Sequence, residues 1–392
     1  MQPPLSNITV IAIEQAVAGP FATRQLADLG ARVIKIERPG VGDFARHYDT
    51  TAHGLCSHFV WANRSKESLT LDLKQDTGKE VLEKLLANAD VLVQNLAPGA
   101  LERLGFTNER LTREYPRLII CNISGYGATG PYRDKKAYDA LIQAEAGLFT
   151  ITGTPETPSK AGIAVADIAA AMYAYSGILT ALIARGQTGQ GAVLEISMFE
   201  ALAEWMGYPA YYTMGGTPPP RTGSSHAAIA PYGLFPTADG STVMLSIQNQ
   251  REWERFCAIV LAQPEIASDP RFAHNAERIV HRAELDGLVA DVLGQLPLDT
   301  VVARLEQAQI AYAQSRTMQE FLDHPQLAAR NRWQNVPSAL GPIPALLPPV
   351  TIEGLAQVMN AIPDVGEQTD AILGELGYSA AQIGQMRAAN AI

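Results

Sequence analysis

The stretch TVIAIEQAVAGPFATRQLADLGARVIKI, residues 9–36, decides the fold. Thr9 to Ile13 is a short apolar run rich in β-branched residues, which predicts a strand. Beyond Ala18-Gly19-Pro20, the residues Phe21, Leu26 and Leu29 recur at helical spacing. Pro20 stands where a first-turn proline is tolerated, and Gly30 suits the position just past a helix end. Arg32 to Ile36 predicts a second strand. So short a strand–helix–strand unit fits a right-handed βαβ crossover.

The same alternation continues outward. Leu69 to Leu73 predicts a strand, and Thr77 with Glu80 offers a capping box for a helix carrying Val81, Leu82, Leu85 and Leu86. Asp90 to Val93 follows as a strand, Asn108 to Tyr115 as a helix and Arg117 to Ile123 as a further strand. Repeated alternation predicts an α/β fold with a doubly wound, Rossmann-like parallel sheet. In that architecture ligands bind beyond the carboxyl ends of the strands. Those ends lead into Glu14–Pro20, Glu37–Asp43, Asn95–Gly99 and Ser124–Pro131. After the linker signal Gly215–Gly223, Tyr232 to Gln248 predicts two strands around Ala238-Asp239-Gly240. Helical patterns over Glu252–Leu261, Glu277–Leu293 and Thr300–Ala308 make this block a separate α+β unit. The proline-rich Pro342–Pro349 precedes a helical C-terminal tail.

Composition narrows the function. The 392 residues carry 30 basic and 40 acidic side chains, a net charge of -10 that argues against nucleic acid or an anionic membrane as partner. Cys56, Cys121 and Cys257 are odd in number and far apart, which fits a reducing cytoplasm and no disulfide framework. The opening MQPPLSNITV has neither the basic nor the apolar region of an export signal. The uncharged run Ile168–Ala184 is short and alanine-rich, and it reads as a buried helix rather than a membrane span.

Phosphate-loop glycine patterns, the GxSxG elbow and HExxH are missing, and the histidines show no helical ligand pairing, so no metal is assigned. Asp167 is the only charged residue from Ala161 to Ala184. One reading makes it the cap of the helix that begins at Ile168. The other makes it a nucleophile, because a carboxylate at a helix N-terminus stays ionised and oriented while shielded from bulk water. The two readings are compatible. Lys35, Arg38, Arg64, Lys66, Lys74, Arg103 and Lys136 lie near strand ends, where an anionic, phosphorylated ligand would use several of them.

The segments AGPFATRQLADLGARVIKIERPGVGD (18–43), NRSKESLTLDLK (63–74), APGALERLGF (97–106), GYGATGPYRDKKAYDALIQAEAGL (125–148) and ADIAAAMYAYSGILTALIARGQTGQG (166–191) resemble class III CoA-transferases of the formyl-CoA transferase-like, CaiB/BaiF type. DPRF (269–272) and GEQTDAILGELGY (366–378) extend the likeness. It implies an enzyme that moves coenzyme A, with Asp167 attacking an acyl-CoA thioester to give a mixed anhydride and then an aspartyl-CoA thioester. It implies CoA contacts at Val17, Ala18, Arg38, Leu71, Asp72, Leu73, Lys74, Asn95, Leu96, Ala97, Arg103, Lys136, Ala137, Tyr138 and Asp139. It also implies a large domain of residues 1–200 and 340–392, a small domain of 225–325, linkers at 201–224 and 326–339, and an interlocked homodimer.

Departures from the family pattern sharpen the substrate. Val17 stands where formyl-CoA transferases place glutamine, and TGSSHAAIAPYG (222–233) replaces a glycine run, which argues against oxalate or formyl-CoA. Tyr138-Asp139 stands where racemases carry a His-Asp pair, which argues against racemisation. GDFARHYD (42–49), SHFVWANRSKES (57–68) and HAAIAPYG (226–233) resemble the branch acting on small dicarboxylates such as itaconate, mesaconate, malate or succinate. Arg46, His47 and His226 are then candidates for holding the second carboxylate. Succinyl-CoA is the expected donor. The alternatives are transfer between two carboxylates of one molecule, an acyl-CoA racemase, and a CoA-binding protein without activity.

Overall fold

The computed structural model describes residues 1–392. Two compact units divide the chain. The first comprises Met1–Gly147, Ala161–Gly207 and Leu327–Ile392, and the second Leu148–Lys160 with Tyr208–Gln326.

The first unit is built on β1 (Thr9–Ile13), β2 (Arg32–Glu37), β3 (Lys66–Thr70), β4 (Val91–Gln94), β5 (Ile119–Ser124) and β6 (Val193–Ser197). All pair in parallel, in the order β3-β2-β1-β4-β5-β6. Chain direction across the sheet reverses between β1 and β4, so the crevice for a ligand opens beyond their carboxyl ends. The near-continuous apolar runs follow from burial on both faces. On one face Val10, Ala12, Val33, Val93 and Cys121 pack with α1 (Ala18–Asp28) and the long helix Val165–Thr188. On the other, Ile11, Ile34, Leu69, Leu92 and Ile120 meet the helix Asp76–Leu86 and the C-terminal helices through Ile372, Leu373 and Ile383.

The quoted opening unit folds as its pattern predicts, with Gly30 at φ +93° just past α1. Other boundaries move for physical reasons. β3 begins at Lys66, three residues before the apolar run, because its polar residues are buried by pairing rather than exposed. The Thr77–Glu80 capping box does not form, since the helix already starts at Asp76 behind Gln75. The long helix runs from Val165 to Thr188 rather than Ile168 to Ala184. It is also not fully buried. Ala166, Ala169, Ala170, Ala174, Ile178 and Ala181 face the core, whereas Met172 and Ile183 are exposed. It is the one helix long and apolar enough to cross a membrane. β6, an edge strand with alternating exposure, lacked a sequence signal strong enough to be read.

In the second unit β7 (Tyr232–Pro236), β8 (Thr242–Ser246) and β9 (Ala311–Gln314) form an antiparallel sheet. Trp253, Phe256, Phe272, Leu285 and Leu305 fill its core. The helical pattern over 277–293 breaks at His281 into Asn275–Val280 and Arg282–Leu293. The stretches expected as linkers are structured. Met198–Trp205 and Gly207–Met214 are helices, and β10 (Trp333–Val336) pairs with β11 (Ile343–Leu346) of the proline-rich segment. Proline there is tolerated because a two-stranded ribbon is all edge.

Candidate active site

Asp167 is the third residue of the long helix and not its cap. The cap is remote: Asp139 Oδ1 accepts from the backbone N–H of Ala166 (2.8 Å) and of Asp167 (3.3 Å). Asp139 Oδ2 accepts from Gln143 Nε2 at 2.6 Å, which holds the carboxylate in place. A negative charge at this helix start complements the aligned peptide dipoles. The Asp167 side chain is thereby free for chemistry. Burial, and next the Asp139 carboxylate, push its carboxyl up to about 7, against the pull of a hydrogen bond from the Ala18 N–H. Tyr48 faces the same group, and burial together with Asp43 and Asp167 pushes its phenol up to about 12.

Ala18 opens α1, so its N–H is one of the helix's unsatisfied donors. The turn leading to it is held from several sides. Gln15 exchanges two hydrogen bonds of 2.8 Å with the Asn95 side chain. Ala16 adopts φ +63°, a left-handed conformation costing an L-residue about 1 kcal/mol or more. Asp43 Oδ1 accepts the Ala16 N–H at 3.1 Å. A side chain at Gly19 would place its Cβ 2.9 Å from Glu14 Cβ, so the turn is packed tightly against β1.

Beneath that turn lies a buried ion cluster. Lys35 Nζ donates to Asp43 Oδ2 (2.9 Å) and to the Glu14 carbonyl (3.3 Å). Lys66 Nζ donates to Glu14 Oε1 (2.6 Å), the Pro20 carbonyl (2.9 Å) and Asn63 Oδ1 (3.0 Å). Thr23 Oγ1 donates to the other Glu14 oxygen at 2.8 Å. Burial, opposed by Glu14, brings Lys66 down to about 7, while the surrounding carboxylates hold Lys35 above its ordinary value in spite of its burial. Lys35, Lys66 and Arg64 therefore do not meet a phosphorylated ligand. Arg64 forks onto Asp28 (2.9 and 2.7 Å), which also binds Arg24. A lysine in a central strand of a parallel sheet is buried on either face, and that was the signal the sequence offered.

The remaining candidates divide clearly. Arg38, Lys74, Arg103 and Lys136 are exposed in the segments that follow β2, β3, β4 and β5, and none forms an ion pair; Arg38 touches Gln15 Oε1 (3.4 Å) and Arg103 the Pro98 carbonyl (3.1 Å). Arg103 also lines a cavity of about 370 Å³ with Leu96, Gln94, Asn122 and Arg133. Val17 and Ala18 are buried, so a ligand reaches only their main chain. Leu71 belongs to the core, and Leu73 packs against it. Asp72 shapes a turn, accepting from the Lys74 N–H at 3.0 Å. Leu96 and Ala97 continue the Asn95 turn, Ala137 packs on Gly125, and Tyr138 is 64% exposed.

Arg46 is not a free clamp. It makes a bidentate pair with Glu37 (3.0 and 2.7 Å), donates to the Pro363 carbonyl and lies 3.7 Å over the Phe59 ring. His47 Nε2 contacts the Val41 carbonyl at 3.1 Å. His226 lies in the second unit, stacked on Tyr232 at 5.2 Å. Asp49, Cys56 and His58 bring ligating atoms within 4.8 Å of one another, but Asp49 is already engaged by Thr51 and Ser57. The other two thiols, Cys121 and Cys257, are pushed up to about 12 by burial, which leaves them unreactive.

Comparison with known proteins identifies the family. The chain matches the model of CoA-transferase family III over residues 5–369. It is 33% identical over 386 residues to a succinate–glutarate CoA-transferase of Agrobacterium fabrum (strain C58 / ATCC 33970), covering 96% of each chain. It is 34% identical to a succinyl-CoA–D-citramalate CoA-transferase of Chloroflexus aurantiacus, covering 95% of this chain and 92% of the other. A CAIB/BAIF family protein from Brucella suis superposes with a TM-score of 0.85 at 32% identity, over 96% of this chain and all of that one.

Proposed function

Because the chain belongs to CoA-transferase family III, we propose that it moves CoA from succinyl-CoA to a small dicarboxylic acid such as itaconate, mesaconate or malate, with Asp167 as the nucleophile. The observation that carries this reading is a half-buried carboxylate in the first turn of the long helix, relieved of capping by Asp139 and in no ion pair. The acceptor class is supported by relatives whose names specify succinate, glutarate and D-citramalate.

The Asp167 carboxylate attacks the thioester carbonyl, the C–S bond breaks, and the CoA thiolate leaves a mixed anhydride behind. The thiolate then attacks the Asp167 carbonyl of that anhydride, releasing the donor acid and forming an aspartyl-CoA thioester. The acceptor carboxylate displaces the thiolate to give a second anhydride. Attack of the thiolate on the acceptor carbonyl yields the new acyl-CoA and regenerates Asp167. Splitting one exchange into acyl-transfer steps of matched energy is the gain. Arg38, Lys74, Arg103 and Lys136 bind the CoA phosphates as unpaired cations. The protein acts as a cytoplasmic homodimer, and the exposed Ile163, Met172 and Ile183 supply apolar contact area for a second copy.

Because the attacking form is the carboxylate, kcat should rise with pH through about 7, as Asp167 loses its proton. A carboxyl in ordinary surroundings would place that limb about three units lower. A pH–rate profile of the transfer measures it directly.

The substrate reading is tested by presenting succinyl-CoA with a panel of acids: itaconate, mesaconate, malate, glutarate, oxalate and acetate. Transfer to a four- or five-carbon dicarboxylate with the highest kcat/KM is expected. Preference for oxalate or a monocarboxylate would overturn the dicarboxylate assignment and leave the family membership intact.

A further inference from the structure

We propose that Asp43 is a positioning residue for Asp167, acting through the turn at Ala16. This rests on the reading of Asp167 as the nucleophile and adds a residue to it.

Asp43 is 1% exposed, and each of its oxygens has a defined task. Oδ2 is fixed by the Lys35 ammonium at 2.9 Å, and Lys35 is itself fully buried. Oδ1 accepts two peptide N–H groups, Ala45 at 2.9 Å and Ala16 at 3.1 Å. The first is local, closing the turn Phe44–His47 that Asp43 caps. The second reaches back across 27 residues to the loop after β1. There it holds a residue in the left-handed region, which alanine leaves unless its N–H is anchored. Asn95 fixes Gln15, Lys35 the Glu14 carbonyl and Lys66 the Pro20 carbonyl. The chain on both sides of the Val17-Ala18 step is therefore tied down, and Ala18, the first residue of α1, is the backbone group whose N–H lowers the Asp167 carboxyl.

That donor has a use beyond orientation. When the thiolate attacks the Asp167 carbonyl, an Asp167 oxygen becomes an oxyanion, and a preplaced N–H stabilises the charge as it develops. An error of a fraction of an ångström in Ala16 passes directly to this bond. The ion cluster thus sets the position of a catalytic donor, although none of its charges touches the substrate. The groups facing Asp167 are Asp139 and Tyr48, with Tyr138 beside Tyr48; Asp43 acts through the backbone rather than by its charge.

Two substitutions in the full-length protein separate geometry from charge. Asp43→Glu keeps the charge on Lys35 but displaces the oxygen that holds Ala16. Asp43→Asn keeps that oxygen and removes the charge. With succinyl-CoA in rapid-quench experiments, Asp43→Glu should form the Asp167 adduct about tenfold more slowly, with KM altered less than about twofold. Its acid limb should move to higher pH, because weakening the Ala18 bond removes what holds the Asp167 carboxyl down. Asp43→Asn, which loses the Lys35 ion pair but keeps an oxygen for Ala16, should be slowed less than Asp43→Glu. Circular dichroism checks folding, and Asp43→Ala substitutes for Asp43→Glu if the larger side chain does not fold. Equal rates in all proteins, or a slow Asp43→Asn beside a fast Asp43→Glu, would overturn the proposal while leaving Asp167 as nucleophile. No adduct at Asp167 even in the unaltered protein would overturn both.

Discussion

Asp167→Asn should lower kcat for CoA transfer about 10⁴-fold or more, the scale seen when a nucleophile is removed from an enzyme that depends on covalent catalysis. The amide is nearly isosteric, so CoA binding should survive, and calorimetric titration with CoA provides the control. Stability should move the other way. Burial and the Asp139 carboxylate raise the Asp167 carboxyl in the folded chain to about 7, above the 3.8 of an unperturbed aspartate. The folded state therefore binds the proton more tightly than the unfolded one, and stability falls as pH rises from about 4 to about 7. Asparagine removes that cost. The variant should melt at a higher temperature than the unaltered protein at pH 8, and the difference should vanish toward pH 4. A site that is destabilising where it is active is what a functional carboxylate predicts. A structural carboxylate would show the reverse.

The second large effect concerns Glu14. Glu14→Gln leaves Lys35 and Lys66, both fully buried, without the carboxylate between them. Breaking a buried pair by removing one partner costs about 3–5 kcal/mol, because the Lys35 ammonium stays charged and desolvated while Lys66, already at about 7, is driven to its neutral form. Urea unfolding at pH 7.5 should show an unfolding free energy lowered by about that amount, as a lower midpoint with an unchanged slope. The exposed pair Lys79–Asp76 is the contrast: Asp76→Ala should leave the curve in place. Activity should also fall in Glu14→Gln even where the protein is folded, since the cluster anchors the Glu14–Pro20 turn.

Much of this architecture is legible in the sequence, because parallel strands buried on both faces leave unmistakable apolar runs. Residues 9–36 are enough to predict a βαβ unit, and the structure gives β1, α1 and β2 within a few residues of the pattern. Elements stabilised by pairing rather than apolar pattern escape such a reading. Lys66-Glu67-Ser68 looks like a loop and is the start of β3. β6 and β9 are short strands of mixed exposure, and their pairing partners are remote in sequence. Within the site, Asp167 stood out as a lone charge in an apolar run. Its surroundings did not, because they come from distant segments. Asp139 caps a helix 26 residues further on, and Asp43 reaches Ala16 from the far side of β2. Cations near strand ends all look alike in sequence. Only the fold separates Lys35, Arg64 and Lys66, consumed internally, from Arg38, Lys74, Arg103 and Lys136, which remain exposed.

The most direct test of Asp167 as the nucleophile is to trap the acyl-enzyme. The protein is mixed with succinyl-CoA, quenched with hydroxylamine, digested and mapped by mass spectrometry, with Asp167→Asn as control. A hydroxamate on Asp167, formed only when the acyl-CoA is present and missing from the control, is the predicted result. Continued CoA transfer with Asp167 unmodified, or with the label on another carboxylate, would contradict it.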